Sequence, residues 1–320
     1  MIKKSLIVIW GMIIMLNVQA AEYKQPEFTL QLSTTGVGVD VRLNDISIEF
    51  EMYSGHSTMT YDVNESVVTG VNELKIIAFP FFEENDSGVF QTKLFHAEAE
   101  VKATLFVNEK GESNNKQILT QINFRPNFPL GKASAKESLV IDGLEDVMLD
   151  DNSQLISFPG FTFNKQIVAT RNTLPIQGNY NRWAWQDGKK IDDTQENYDS
   201  LLAFYKKIHE AYKTNNRKKL FEFYEPAAKE FSEAYYLRGG IAEGQAFIET
   251  GELLDNGDAE LNDFYTEGVK LDIFANGKMA RIVDIGLYHP VVFVHKTKDL
   301  IYTLKFGFYK NQQNKWVMIR

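Results

Sequence analysis

The sequence of this 320-residue chain predicts two domains. An all-β sandwich spans residues 21–170, a junction spans 171–195, and an α+β domain with helices packed on a curved antiparallel sheet spans 196–320. Three changes of pattern carry that reading. Apolar residues alternate with polar ones from Phe28 to about Ile167, fall at three- and four-residue steps from Tyr198, and alternate again after Gly268.

Residues 1–20 are expected to be an export signal rather than part of the fold. Lys3 and Lys4 give a basic start, Leu6–Leu16 is a nearly continuous apolar run, and Val18 and Ala20 are small residues ahead of Ala21. The run is short for a bilayer crossing, and no second one of that length follows. The mature chain is therefore expected in the periplasm or outside the cell, with no stable membrane insertion after cleavage.

In the first domain, "FTLQLST" alternates Phe28, Leu30 and Leu32, and "ISIEFEMY" alternates Ile46, Ile48, Phe50 and Met52. "VVTGVNELKIIAF" places a Gly-Val-Asn corner between two apolar strands, and "AEVKATLFVNEKGESNNKQILTQINF" reads as two strands around a polar turn. Several short strands with polar turns and no helical period mean a sandwich. The next domain opens on a helical stripe of Tyr198, Leu201, Leu202, Tyr205, Ile208 and Tyr212. Helix continues through "RKKLFEFYEPAAKEFSEAYYL", with Pro226 expected to begin a new helix and Gly239-Gly240 to end it. "IAEGQAFIETGELL" fits a further short helix. "VKLDIFA", Asn276-Gly277 and "KMARIVDI" then form a hairpin, and three more strands follow, one of them carrying Leu300, Tyr302, Leu304, Phe306 and Phe308 on a single face.

The opening helix "YDSLLAFYKKIHEAYKTNNRKKLFEFYEP", the "NGKMARIVDI" hairpin and the closing "NKWVMI" strand resemble the cone-shaped superfamily named after nuclear transport factor 2. That superfamily includes ketosteroid isomerases and small bacterial binding and immunity proteins. The resemblance implies a cystatin-like cone with a pocket between sheet and helices. "VRLND…VVTGVNELKI" resembles the immunoglobulin-like and jelly-roll sandwiches of exported bacterial proteins.

Composition excludes several chemistries. There is no cysteine, so disulfides, thiol catalysis, thiolate zinc sites and a lipid-modified cysteine are ruled out. Residues 21–180 hold 12 basic against 22 acidic residues, net −10, whereas 181–320 are near balance at −1. Such an acidic first half repels phosphate backbones, so no nucleic-acid partner is expected. His56, His96, His209, His289 and His295 show no metal spacing, and no nucleophile elbow, phosphate loop or dinucleotide fingerprint occurs. No cofactor and no metal is expected.

Five residues remain as candidates for binding. Asp284 is the one acid interrupting an apolar strand; inside a pocket it would be desolvated and able to accept a proton, and on the other face it would meet water. Tyr205 and Tyr235 either line a pocket or belong to an aromatic core stripe. Trp183 and Trp185, in "GNYNRWAWQDGKK", share one face if the segment is extended. With Asn179, Asn181, Arg182 and Asp187 around them they suit a sugar or peptide; at a domain boundary they equally serve to hold two bodies together. The expected function is non-catalytic binding of a protein or a small ligand, with toxin neutralisation implied by the resemblance. The alternative is a pocket enzyme of isomerase or dehydratase type. N-terminal sequencing of the mature protein is expected to begin near Ala21; a product retaining Met1 in the cytoplasm would refute export.

Overall fold

The computed structural model describes residues 23–79, 82–84, 90–92, 98–112, 114–127, 132–134, 148–150, 157–158, 161–162, 167–173, 175–176, 182–248, 257–284, 288–298, 301–304 and 306–319. The expected export leader lies outside the described residues. The described chain is rich in strand, and every strand pair is antiparallel.

Its first half is organised by one long hairpin, β1 (Pro26–Leu43) and β2 (Ile46–Asp62). The turn between them is Asn44-Asp45, with φ of 54° and 63°. Both residues are left-handed, which Asn and Asp tolerate best among residues with a side chain, and the pair closes a two-residue hairpin. Along β1 the buried apolar positions are even at Phe28, Leu30 and Leu32 and odd at Val37, Val39, Val41 and Leu43. A strand that changes parity must contain an extra residue if one face is to stay inward. That residue is supplied by a bulge between Thr35 and Val37, with Gly36 at φ 58°.

At this bulge β1 also changes partner. Before it, Pro26–Thr35 pair with β6 (Glu100–Glu109); after it, Gly38–Leu43 pair with β3 (Glu73–Phe79), while β2 runs along the opposite edge. A Cβ on Gly38 would lie 2.1 Å from the Phe79 ring, so only glycine admits this approach. The short β4 (Phe82–Glu84) and β5 (Phe90–Thr92) pair with each other. Beyond β6 lie β7 (Gln117–Asn127) and β8 (Lys132–Ser134). On the other side, β9 (Met148–Asp150) and, after the small β10 (Ser157–Phe158) and β11 (Phe161–Thr162) pair, β12 (Ile167–Asn172) extend the sheet past β3. Arg171 Nη1 of β12 donates to the Gln121 carbonyl of β7 at 2.7 Å, so the sheet nearly closes on itself.

Three buried asparagines fasten this curl. Asn44 Nδ2 donates to Ser66 O at 2.8 Å and to Asn72 Oδ1 at 2.7 Å. Asn64 Oδ1 accepts from Phe28 N at 2.7 Å, and its Nδ2 donates to Pro26 O at 2.9 Å. The Asn72 amide also accepts from Val68 N and donates to Val68 O, both at 2.8 Å. Of the two apolar strands expected around the Gly-Val-Asn corner, only the second, β3, is present, since Val67 and Val68 are in no strand. Gly70, at φ 95°, bridges to Ile176 rather than joining two strands.

In the second half, α1 (Gln195–Lys213) is capped by Thr194 Oγ1, which accepts from Asn197 N at 3.2 Å. α2 (Arg217–Ala234) is capped by Asn216, and it runs through Pro226 rather than starting there. Proline forgoes the bond to the residue 222 carbonyl, but Glu222 is exposed and water can serve it. Leu220, Tyr224, Ala227 and Ala228 keep one continuous buried stripe across the break. The helix stops at Tyr236, not at the glycines: Tyr236 is left-handed at φ 53°, and Leu237 N reaches back to Ser232 O at 2.9 Å. Gly239 instead precedes α3 (Gly240–Ile248), which Gly240 begins.

β13 (Ala259–Leu261) follows, then the hairpin β14 (Lys270–Phe274) and β15 (Met279–Val283), then β16 (Val292–His295), β17 (Ile301–Thr303), β18 (Phe308–Lys310) and β19 (Trp316–Met318). They make two sheets, ordered β13-β16-β17 and β14-β15-β18-β19. The single strand expected through Tyr302 and Phe308 is thus two, one in each sheet. Leu304, Phe306 and Phe308 are buried as the alternation required, while Leu300 lies outside the described residues. Among the described residues no helix is long and apolar enough to cross a membrane.

Buried apolar side chains gather in three clusters. One belongs to the strands between Phe28 and Ile176, a second to residues between Ile191 and Met318, and a third joins Ile46 to Trp183, Trp185, Ala234, Phe274, Ala275, Met279 and Ile319. Replacing Asn72 by alanine is expected to cost about 3 kcal/mol, since each buried partner left unpaired costs roughly 1–3 kcal/mol. Exposed Asn115→Ala should stay within about 0.5 kcal/mol of the parent. Urea unfolding of the two variants measures the difference.

A candidate binding cavity where the two halves meet

The tip of the β1–β2 hairpin rests on the tip of the β14–β15 hairpin. Asp45 accepts from Ala275 N through its carbonyl at 3.1 Å and from Asn276 N through Oδ2 at 3.0 Å. Those bonds exist because Ala275, Asn276 and Gly277 all have positive φ, which turns their amides outward. Behind the tips, Arg42 bonds Asp40 at 2.7 Å and Asp45 at 3.1 Å. Burial disfavours the Arg42 charge, but Asp40 and then Asp45 and Asp272 outweigh it, and its pKa is raised.

Trp183 and Trp185 lie beside this contact, and both are buried, at 4% and 5% exposure. The segment is not extended beyond Trp183, because Ala184–Asp187 form a 3-10 turn. Gln186 fixes the turn by accepting from Trp183 N at 2.9 Å. The Trp183 indole donates to Val67 O at 2.7 Å, tying the turn to the first half. Ala184 N donates to Glu230 Oε1 at 2.5 Å, tying it to α2. Trp185 Nε1 is buried with no acceptor among the described residues. Arg182 and Asp187 pair with each other on the surface, and Asn179 and Asn181 lie outside the described residues.

Next to the third cluster is a cavity of about 330 Å³. Both ends of β2 contribute to it: Ile46 and Ile48 from the start, Tyr61 and Asp62 from the finish. Glu65 comes from the 3-10 turn Asn64–Ser66, and Glu230 and Phe231 come from α2. Phe274, Arg281, Phe306 and Ile319 close the remaining side. Arg281 Nε is held by Asp272 Oδ2 at 2.7 Å, and its guanidinium lies 5.3 Å from the centre of the Phe274 ring. The Glu65 carboxylate accepts from the Tyr235 hydroxyl, and the Tyr235 ring packs on Phe231 with centroids 4.4 Å apart.

Of the five residues singled out by sequence, Trp183, Trp185 and Tyr235 come together at this junction. Tyr205 does not. It is wholly buried in the second cluster, between Phe306 and Phe308 with ring centroids 5.6 and 5.1 Å away. Its hydroxyl accepts from Ile282 N at 3.3 Å and shares a hydrogen bond with His289 Nδ1 at 2.8 Å. Burial pushes the Tyr205 pKa up and keeps the phenol neutral. Asp284 stands at the end of β15, half-buried, accepting from Tyr288 N at 2.9 Å and from the Tyr265 hydroxyl at 3.1 Å. Burial and then the Asp284 charge raise the Tyr265 pKa. Asp284 does not line the cavity.

Sequence reasoning missed Glu65, Glu230, Phe231 and Arg281. Glu230 had a local signal, an acid beside the buried stripe of α2, and Arg281 a similar one in the middle of an apolar strand. Nothing local joins residue 46 to residue 62 or to residue 319. Among the described residues no three His, Asp or Glu side chains are placed to hold a metal ion. Set against protein-family models, curated proteins and solved structures, the chain finds no match.

The two indoles are expected to respond differently to replacement by phenylalanine. Trp183→Phe strands the Val67 carbonyl, whereas Trp185→Phe removes a donor that has no acceptor. Trp183→Phe should therefore be the more destabilising by about 1 kcal/mol, as expected for a lost buried bond. Urea unfolding of both variants provides the comparison.

Proposed function

We propose that this protein is an exported, non-catalytic binding protein of two domains, a β-sandwich over residues 21–170 and a cone-like α+β domain over 196–320, that holds a small ligand in the cavity between them. The separate apolar clusters of the two halves, with a third between them, support the division. The basic and apolar leader supports export to the periplasm or beyond.

The observation that carries the reading is the cavity itself. Its walls are mostly aliphatic and aromatic, a few polar groups converge on it, and about 330 Å³ falls within the range of small-molecule sites. A recess of this size favours a small ligand over the protein partner that toxin neutralisation requires. The interior of the second half argues in the same direction. Where the isomerase-type alternative needs an open pocket, Tyr205, His289, Phe306 and Phe308 pack against one another. Asp284, its proposed base, is occupied with Tyr265 and Tyr288.

The neutral fluorophore N-phenyl-1-naphthylamine tests this reading. It is expected to brighten on binding with one-to-one stoichiometry, and Ile48→Trp, which fills the cavity, should abolish the signal without lowering the melting temperature appreciably. Absence of saturable binding, or equal binding by the filled variant, would remove the cavity as a ligand seat.

A further inference from the structure

We propose that the outer edge of β2 at residues 55–61 is a dimerisation surface, where the strand pairs with the same strand of a second copy of this chain. The inference rests on the edge of the sheet and not on the cavity, so neither depends on the other. From Ile46 to Asp62, β2 pairs with β1 and, among the described residues, with no other strand. In an antiparallel pair every second residue turns its N–H and C=O away from the partner, so β2 presents a row of donors and acceptors on its far side. Water reaches that row: His56, Thr58, Met59 and Thr60 are all exposed. Strand edges in native proteins are commonly guarded by charged side chains or proline, which keep a second strand from adding on. The sequence of residues 55–61, GHSTMTY, holds no proline and no formal charge, and its threonines and tyrosine favour strand.

The core-facing side of this edge is unfinished as well. On β1, Leu30 and Leu32 are 0% and 1% exposed; across the hairpin from them stand Tyr61 and Met59, and Met59 is 44% exposed. The apolar face of the sheet therefore runs out to the edge and leaves its methionine in water. An added strand completes the ladder and the apolar face together. A closed pair of identical chains is related by a two-fold axis, which makes the two strands antiparallel and sets one residue opposite itself. With Met59 on that axis, each Met59 covers the other, Thr58 stands opposite Thr60, and His56 stands opposite Asp62. The carboxylate nearest the seam then meets an imidazole and not its own copy, so no like charges are opposed. Away from the seam the first half is acidic, net −10 over residues 21–180, and two copies repel at long range. Salt screens that repulsion and leaves the backbone bonds and the methionine contact in place. A seam of seven residues is only about 24 Å long, so the association belongs to the weak, concentration-dependent class.

Sedimentation velocity of the full mature chain is expected to show a monomer–dimer equilibrium in the micromolar range that tightens as salt is raised. Because the chain has no cysteine, Met59→Cys supplies a single thiol on the axis, where opposed Cα atoms lie about 4.5–5.5 Å apart, within disulfide reach. On oxidation it should give a covalent dimer. Ser57→Cys, whose two copies would lie about 14 Å apart along the strands, should not. The T58K/M59K double variant changes two exposed side chains and leaves the backbone bonds to β1 intact. It should weaken the dimer at least tenfold while keeping the parent melting temperature. A parent that is monomeric at every concentration overturns the proposal, the edge then belonging to a strand of another protein or to none. A dimer that salt dissociates, or that the lysine variant forms as well as the parent, uses a different surface and overturns it too. Equal cross-linking at positions 57 and 59 would mark random collision and count against it in the same way.

Discussion

Everything at the junction depends on bringing the two ends of β2 to one place. A straight strand of its 17 residues would span about 55 Å, yet Asn44, just before it, bonds Ser66, just after it, at 2.8 Å. Strand twist alone does not achieve that. The bulge at Thr35–Val37 lets β1 bend and change partners, a second register shift follows at Val41–Arg42, and Asn44, Asn64 and Asn72 then bind the ends together. Burying three amides is costly unless each is satisfied, and these are, several of them through partners distant in sequence. The amides therefore stabilise the curl when those distant partners are in place.

One consequence is that the cavity belongs to neither half. Its wall on one side is the meeting point of the two ends of β2, so its shape is set by the asparagines, which do not touch it. On the other side it is set by α2 and the β14–β15 hairpin. Asn64 links the two directly, because its Nδ2 also donates to Ala234 O at the end of α2, at 2.7 Å. The same side chain that ends the curl positions the helix that supplies Glu230 and Phe231.

Much of the chain was legible because its signals are local. The parity of Phe28, Leu30 and Leu32, the Asn276-Gly277 turn and the stripe from Leu201 to Tyr212 each depend on residues a few places apart, and strands and helix lie where they indicate. The misreadings share a cause too. Pro226 and Gly239-Gly240 have strong local preferences, which the buried stripe of α2 and the left-handed Tyr236 overrule. Alternation through residues 302–308 states which side chains face inward but not which neighbour each segment pairs with, and that choice divides β17 from β18. The shift of parity between Leu32 and Val37 was readable and implied the bulge. Its effect, a hairpin curled until residue 46 faces residue 62, was not, because it depends on partners far away in the sequence.

The contrast between the two sides of the junction follows from the same geometry. On the tryptophan side, apolar surface from Ile46, Phe274, Met279 and Ile319 meets two indoles and leaves little exposed. On the cavity side, Asp62, Glu65, Glu230 and Arg281 converge, and no arrangement of four charged groups packs as tightly as hydrocarbon. The dry contact fixes how the halves meet, and the side that carries the charged groups leaves a gap within that frame.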